Sequence, residues 1–161
     1  MSRERSRRTV ARLAAAAAAV TAVATAGLAS WQPAQADTGR RIDVTAVKRA
    51  DTQPRDVREG DSWVTYLDVY ESGTERRVGD GSARCSAVLV DGRGMITQCQ
   101  RVLRMRGGDL ALSAMIDRFG PGPYTGDGAV VGGTGAFRDA SGQARVTMSG
   151  RTVSFRIDLD D

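Results

Sequence analysis

The sequence predicts an all-β protein, an eight-stranded antiparallel up-and-down barrel, on three observations. Apolar and polar residues alternate with a period of two from residue 40 to the end of the chain. Short Gly-rich segments separate these alternating runs, which is typical of hairpin turns. Eight short strands joined by such turns leave exposed edges unless the sheet closes on itself. A β-sandwich is the rival, but it needs longer connections between its sheets than most of these segments supply.

The alternation places the predicted strands along most of the chain. The clearest is the last, in which Val153, Phe155, Ile157 and Leu159 alternate with polar residues. The predicted strands lie near 41–49, 61–71, 83–91, 94–105, 108–117, 125–132, 142–149 and 151–160. An eight-stranded barrel has an interior that side chains fill or that holds one small ligand.

The first 36 residues are typical of a cleaved secretory signal. Five arginines precede an apolar, Ala-rich run from Leu13 to about Leu28, and Ala34-Gln35-Ala36 supplies a small-x-small cleavage site. A membrane anchor is the alternative, but an Ala-rich run of this length inserts poorly. We therefore predict a signal peptide at 1–36 and a single barrel domain at 37–161, secreted and free of the membrane after cleavage. Export would use the Sec route or, given Ser6-Arg7-Arg8, the twin-arginine route.

Charge and composition exclude several classes of function. Of the 23 Lys+Arg and 19 Asp+Glu in the chain, five Arg and one Glu lie in residues 1–36, so 18 of each sign remain in 37–161. A balanced domain has no excess positive charge for a nucleic acid, and none is expected as a partner. The absence of histidine excludes Ser-His-Asp and Cys-His nucleophile systems and His-ligated metals. We predict no metal and no cofactor.

Two cysteines predict a cross-strand disulfide. Cys85 and Cys99 flank the turn signal Asp91-Gly92-Arg93-Gly94, and each lies seven residues from Gly92. They therefore sit opposite each other and on the same face of a hairpin. In a secreted protein we expect them to be oxidised, and two free thiols in a dry core are the alternative.

A glycine motif near the end of the chain admits two interpretations. Val130-Val131-Gly132-Gly133-Thr134-Gly135 could be a strand that enters a dinucleotide-binding loop. That fold needs a βαβ unit and an acidic residue about 20 residues further on, whereas the 26 residues after Gly135 alternate like a hairpin. We therefore interpret the glycines as a tight turn at one end of the barrel.

This motif and a second stretch together resemble a known family. The segment Gly132-Gly133-Thr134-Gly135-Ala136-Phe137, followed by Ala140 and Gly142, resembles the GGTG-x-F-x-x-A-x-G signature of dirigent proteins and allene oxide cyclases. Gly60-Asp61, Tyr70-Glu71, Arg76-Arg77-Val78-Gly79 and Cys85 resemble the spacing of plant allene oxide cyclases. The likeness covers roughly residues 60–160. It implies an eight-stranded barrel, often trimeric, with a largely apolar cavity for a small hydrophobic molecule, and therefore a possible homotrimer here.

The resemblance does not extend to the chemistry of the cyclases. Leu67 stands where that family has its water-holding Asn, and the family's first-strand carboxylate and amide fall near Thr45 and Val47. The family's pocket Pro and Cys correspond to Pro54 and Cys85. Without the Asn and Glu, allene oxide cyclase activity itself is not expected, and the catalytic residues of any cyclase reaction are unknown.

The strand parity and the family pattern give a set of candidate lining residues. For the apolar members the alternative is plain core packing, and for Arg101 it is a position in water at the rim. Asp117 and Arg118 are expected to pair on the surface near a barrel end. The predicted cavity-lining residues are Trp63, Thr65, Leu67, Cys85, Leu89, Arg101, Ile116 and Phe155.

Three functions remain open. The first is a secreted binder of a small apolar molecule, which needs only inward apolar surface. The second is a cyclase or stereo-directing protein, which would act by orientation and exclusion of water. The third is a non-catalytic structural or cell-envelope barrel without a ligand. An inward polar group with a perturbed pKa would favour an enzyme over a simple binder.

Overall fold

The structure, a computed structural model, describes residues 39–160, so the predicted signal peptide at 1–36 lies outside the described residues. Eight strands and one short 3-10 helix, Gly135–Phe137, make up the described part of the chain. The strands are β1 (Arg41–Asp51), β2 (Ser62–Glu71), β3 (Arg77–Asp91), β4 (Gly94–Met105), β5 (Gly108–Phe119), β6 (Tyr124–Gly133), β7 (Gly142–Ser149) and β8 (Thr152–Leu159).

The sheet closes into a barrel. Each strand pairs antiparallel with the next along the chain, and β1 pairs with β8 from Arg41 opposite Asp158 to Val47 opposite Thr152. This closure gives every strand two neighbours and leaves no free edge. The predicted all-β, eight-stranded antiparallel barrel is therefore confirmed. Within residues 39–160, no helix has the length and apolar character that crossing a membrane requires.

β3 is longer than the alternation indicated. It begins at Arg77 and not near residue 83, because Gly79 and Gly81 pair with Met105 and Leu103 in β4. Two glycines looked like a connector, yet here they let the strands approach closely. A Cβ atom at Gly81 would lie 2.7 Å from the carbonyl oxygen of Val102 and 3.1 Å from the Leu103 side chain.

The inward side chains form two clusters, one toward each end of the barrel. The main core contains Leu67, Leu110, Val146, Phe155 and other buried apolar residues and reaches the end where Phe137 lies. We call this the motif end. The smaller cluster contains Trp63, Ala83, Cys85, Ala87 and Cys99 and packs against Val57 of the segment 52–61. We call this the loop end.

The predicted inward position of Leu89 is wrong. The β3–β4 register shifts between Ala87 and Leu89, which inserts one extra residue into β3. Such a bulge interrupts the alternation of inward and outward side chains. Val88 and Leu89 are consequently both exposed, Leu89 by 39%, and Val90 packs against the loop-end cluster in its place.

The cysteines pair as predicted. Cys85 and Cys99 are direct partners in the β3–β4 ladder and form a disulfide. Both are buried on the inner face of the sheet. A disulfide is typical of proteins from oxidising compartments.

The glycine motif forms the predicted turn at a barrel end. Gly135 has a φ of +59°, which favours glycine, and begins the 3-10 helix. Two hydrogen bonds of 2.9 Å join Thr134 to β5. The Thr134 amide donates to the Asp109 carbonyl, and the Thr134 hydroxyl accepts from the Asp109 amide. These bonds hold Phe137, which is 3% exposed, as a cover on the main core.

We expect the double variant C85A/C99A to fold with lower stability. The bridge spans 14 residues of sequence, and removing a crosslink of that size costs about 3 kcal/mol of unfolding free energy. Urea unfolding of the variant, and of the wild type with and without dithiothreitol, measures this loss. Coincident unfolding curves for all of these samples would contradict a stabilising disulfide.

Candidate functional site

A layer of polar side chains lies inside the barrel at the loop end. Residues that pair directly in neighbouring strands point to the same face of a sheet, and the partners of these residues are inward or buried, so the layer points inward as well. Lys48 lies opposite Leu67, and Arg101 lies between Ala83 and Leu112. The layer comprises Lys48, Thr65, Thr97, Arg101 and Arg118, with Asp51 at its rim.

Arg101 is the most unusual member of this layer. The residue is 3% exposed, and its Nη2 atom lies 3.9 Å from the Met148 sulfur, a weak acceptor. Its Nη1 atom is buried and has no hydrogen-bond partner among the described residues. Burial lowers the pKa of Arg101 to about 10, so the guanidinium stays charged at neutral pH. The barrel therefore holds a cation whose donors are only partly used.

A buried charge of this kind is costly. Moving an ion from water to a protein interior costs several kcal/mol unless a counter-charge and hydrogen bonds compensate. In the described part of the chain, no carboxylate forms an ion pair with Arg101. The closed barrel buries a strong hydrogen-bond donor, one N–H group of which has no partner in the part of the chain that the structure describes, where the local dielectric constant is low and an acceptor would bind it tightly.

Arg118 is a second inward guanidinium. Its Nη1 atom donates to the Gln53 side-chain oxygen over 3.2 Å, and its Cζ lies 5.6 Å from the centre of the Tyr124 ring. Its buried Nε atom has no hydrogen-bond partner within residues 39–160. Burial lowers the pKa of Arg118, although Tyr124 and Asp51 act in the opposite direction.

The predicted surface pair of Asp117 and Arg118 is therefore wrong. Inward residues of β5 follow the even numbers from Leu110 to Ile116, and Arg118 continues that series while Asp117 is exposed. The strand runs two residues further than predicted, to Phe119, and so carries Arg118 into the barrel.

Asp51 at the rim is held in its charged form. Its carboxylate accepts hydrogen bonds from Lys48 Nζ at 2.9 Å, from the Gln53 amide at 3.2 Å and from the Thr65 hydroxyl at 3.2 Å. Partial burial acts to raise the pKa of Asp51, but these bonds and the Lys48 charge outweigh it and lower that pKa overall. Asp51 is thus occupied by Lys48 and does not neutralise Arg101.

The segment 52–61 covers the polar layer. Its ends are tied to the sheet, since the Thr52 amide donates to Val64 and the Gly60 amide donates to Ala87, which in turn donates to Asp61. Between these ties Val57 packs against the Trp63 cluster, and Gln53 contacts Arg118. The Glu59 side chain also accepts a hydrogen bond from the Val90 amide, at 3.2 Å, so the segment contacts the sheet between its ends as well as at them.

The structure brings some of the predicted lining residues together and separates others. Trp63 and Cys85 lie in the loop-end cluster, and Thr65 and Arg101 flank Ala83 on neighbouring strands. Leu67, Ile116 and Phe155 are each 1% exposed and belong to the main core. Leu89 lies outside.

The first strand departs from the family correspondence. Val44 and Ala46 are buried inward residues, so Thr45 and Val47 face the outer surface, where the Thr45 and Ser72 hydroxyls lie 3.2 Å apart. Thr45 and Val47 therefore do not line the interior of the barrel. A β1–β2 register shift between Lys48 and Ala50 then brings Asp51 opposite Thr65.

The predicted lining set lacked four residues of this layer, Lys48, Asp51, Thr97 and Arg118, and also lacked Met148, which contacts Arg101. Arg118 and Met148 follow the parity of inward neighbours in their strands, so a strict count along each strand would have found them. Asp51 could not be found this way, because the shift in β1 breaks the count before it is reached.

We expect the D51N variant to be less sensitive to acid than the wild type. A carboxylate with a lowered pKa in the folded state adds stability above its unfolded pKa, and that stability disappears as the pH falls through the folded pKa. Thermal unfolding from pH 6 to about pH 2 should show a shallower decline for D51N. The D117N variant removes an exposed carboxylate and is the control. Equal slopes for D51N and the wild type would contradict the role of the Lys48–Asp51 pair.

Comparisons with known proteins place the fold. No family model and no curated protein sequence matches the chain. Among solved structures it is similar to a pyocyanin demethylase, with 14% identity and a TM-score of 0.61 over 75% of this chain and 100% of that one. It is also similar to a pterocarpan synthase dirigent protein, with 16% identity and a TM-score of 0.57 over 81% and 97% of the two chains.

A third similar structure is an exo-specific intermolecular Diels-Alderase, with 17% identity and a TM-score of 0.48 over 75% of this chain and 98% of that one. At these identities the comparisons report on fold alone. The resemblance to a dirigent-type fold inferred from the glycine motif is confirmed at that level, since this chain forms a closed eight-stranded barrel and is similar in fold to a solved dirigent protein.

Proposed function

We propose that this barrel binds a small, largely apolar molecule at the loop end, with an acceptor or anionic group of that molecule against Nη1 of Arg101. The observation that carries the proposal is the buried guanidinium with an unused donor. Such a group fixes the orientation of a ligand in an otherwise apolar site. The expected ligand is therefore amphipathic and not a plain hydrocarbon.

The energetics favour a binding role over a packing role for Arg101. An apolar residue of similar size would fill this position without the cost of burying a charge. Buried ionisable groups with displaced pKa values are concentrated at functional sites. A ligand carboxylate or carbonyl would accept a hydrogen bond from Nη1 of Arg101. That bond would offset the free-energy cost of burying the guanidinium without a partner.

The walls around the guanidinium suit an apolar ligand body. Trp63 and the Cys85–Cys99 disulfide line this end, and the small side chains of Ala83 and Ala87 flank Cys85 along β3. Val57 closes the cluster from the segment 52–61. We propose that this segment acts as a lid, so that the ligand enters when Val57 and Gln53 move away from Trp63 and Arg118.

A cyclase or stereo-directing reaction would use the same arrangement. At neutral pH Arg101 remains protonated, so it would stabilise negative charge on a substrate oxygen and would not act as a base. The apolar walls would orient a reactive substrate and keep water out.

The alternative is a structural barrel without a ligand. The packed main core at the motif end is the observation that favours it, because apolar side chains fill that half of the interior. In that case the buried charge of Arg101 would lower the stability of the protein without serving a function. Secretion of the mature domain and assembly into a homotrimer are further proposals that stay predictions.

We expect Arg101→Met to raise the stability of the protein and to weaken its binding of an anionic ligand at the same time. Replacing the buried charge should increase the unfolding free energy by about 1–2 kcal/mol. Loss of a hydrogen bond to a charged group should weaken octanoate binding by roughly ten-fold or more and leave 1-octanol binding nearly unchanged. Trp63 reports binding at this end, in a W31F background where it is the only tryptophan of the chain.

The control is Arg84→Met, which removes an exposed guanidinium from the outer face of β3. It should leave both octanoate binding and Trp63 emission as they are. If R101M is stabilised but neither probe binds the wild type, the structural barrel is the better account. If R101M and the wild type bind octanoate equally, the assigned role of Arg101 is wrong.

A further inference from the structure

We propose that the motif end carries a second, independent site, which binds a planar apolar molecule bearing a carboxylate. A hollow of about 330 Å³ opens at this end, where β1 begins and β4 ends. Its volume lies at the lower limit of small-molecule pockets, about 300–1,000 Å³. It lies at the opposite end of the barrel from Arg101 and does not depend on the function proposed for that residue.

The floor of the hollow is apolar and rigid. Val44 and Phe137 are 4% and 3% exposed, and Val78 and Met105 pack against the same core. The motif turn fixes Phe137, because the Phe137 amide donates to Thr134 and the neighbouring Ala136 amide donates to Gly107 across the end of the barrel. An aromatic ring beside a thioether favours a flat, polarizable ligand body.

The rim of the hollow carries positive charge that is only partly neutralised by carboxylates. Four arginines line it, against the carboxylates of Asp43 and Glu71. Arg76 is occupied by Glu71, through two hydrogen bonds of 3.0 and 2.6 Å, and Asp43 accepts a bond from Arg156, which lies outside the hollow.

Two of the rim arginines are free to meet an anion. Neither Arg40 nor Arg106 forms an ion pair with any residue from 39 to 160. The Arg40 guanidinium already lies over the Phe137 ring, 5.3 Å from its centre, which places a cation directly beside the apolar floor. Arg106 is exposed in the β4–β5 turn on the same rim.

Apolar floor and cationic rim together specify the ligand. A planar ring would lie against Val78 and Met105, the partly exposed residues of the floor, and its carboxylate would accept hydrogen bonds from Arg40 and Arg106, whose planar guanidinium groups suit carboxylates. A neutral molecule of the same shape would gain only the apolar contact. Since both arginines are exposed, the charge contribution should weaken as salt is added.

The test is calorimetric titration of the full chain with 2-naphthoate and with uncharged 2-naphthalenemethanol. The double variant R40Q/R106Q should weaken naphthoate binding by about five- to ten-fold, because it removes two exposed charge contacts whose free energies add. The affinity for the alcohol should stay within about two-fold of the wild-type value. The matched control is R93Q at the loop end, where Arg93 also lies 5.3 Å from an aromatic ring, that of Phe119. R93Q should bind naphthoate like the wild type.

Three results would overturn the second site: no heat of naphthoate binding, equal affinities for R40Q/R106Q and the wild type, or a loss in R93Q as large as in R40Q/R106Q. Naphthoate that binds instead at the loop end would change Trp63 emission in the W31F background and would be lost in R101M. That outcome also overturns the motif-end site but agrees with the function proposed for Arg101. Octanoate binding that depends on Arg101 is unaffected by any of these results.

Discussion

The pairing of β1 with β8 is the constraint on which the rest of this molecule depends. It turns a linear series of hairpins into a closed wall, so that every inward side chain shares one interior of fixed width. Large residues are accommodated only where small ones face them. Leu67 and Phe155 share the main core with Ala46, Ala114 and Ala144, and this balance of sizes fills the motif half of the barrel.

Closure also explains why Arg101 is unusual. In an open sheet its long side chain could reach water past an edge, but a closed wall with Met148 opposite and the segment 52–61 over the end keeps the guanidinium inside. The same fold gives the two ends different character. One is packed with apolar residues under Phe137, and the other keeps a polar layer beneath the segment 52–61, which is held to the sheet by backbone hydrogen bonds and by contacts of Val57 and Gln53.

The alternation of apolar and polar residues predicted most of this architecture. Strand order, closure, the hairpin of β3 and β4 and the Cys85–Cys99 bridge all follow from a period of two and from turn residues. Turn chemistry also predicted the role of the glycine motif at a barrel end. The hairpins, the disulfide and the motif turn join residues that are near in sequence, whereas closure pairs Arg41 with Asp158 and was predicted from the need to remove the exposed edges of the sheet.

The errors arose where a single residue changes the count. The bulge beside Val88 moves Leu89 to the surface, and the shift after Lys48 moves Asp51 opposite Thr65. Neither register shift can be recognised in the sequence. A bulge only exchanges the inward and outward positions of the residues that follow it, and the alternation itself continues. The environment of Arg101 could not be predicted either, since an inward arginine meets water or not according to the segment that covers the barrel end. That cover is set by tertiary contacts of Val57 and Gln53.

We propose that the guanidinium inside the barrel holds a ligand. Native mass spectrometry of the wild-type protein and of its R101M variant, each purified without denaturant from the producing cells, tests this proposal directly. We expect the wild type to carry a bound small molecule with a carboxylate or carbonyl group and the variant to be recovered without it. Recovery of both proteins with the same bound molecule, or of both with none, would contradict a ligand-holding role for Arg101.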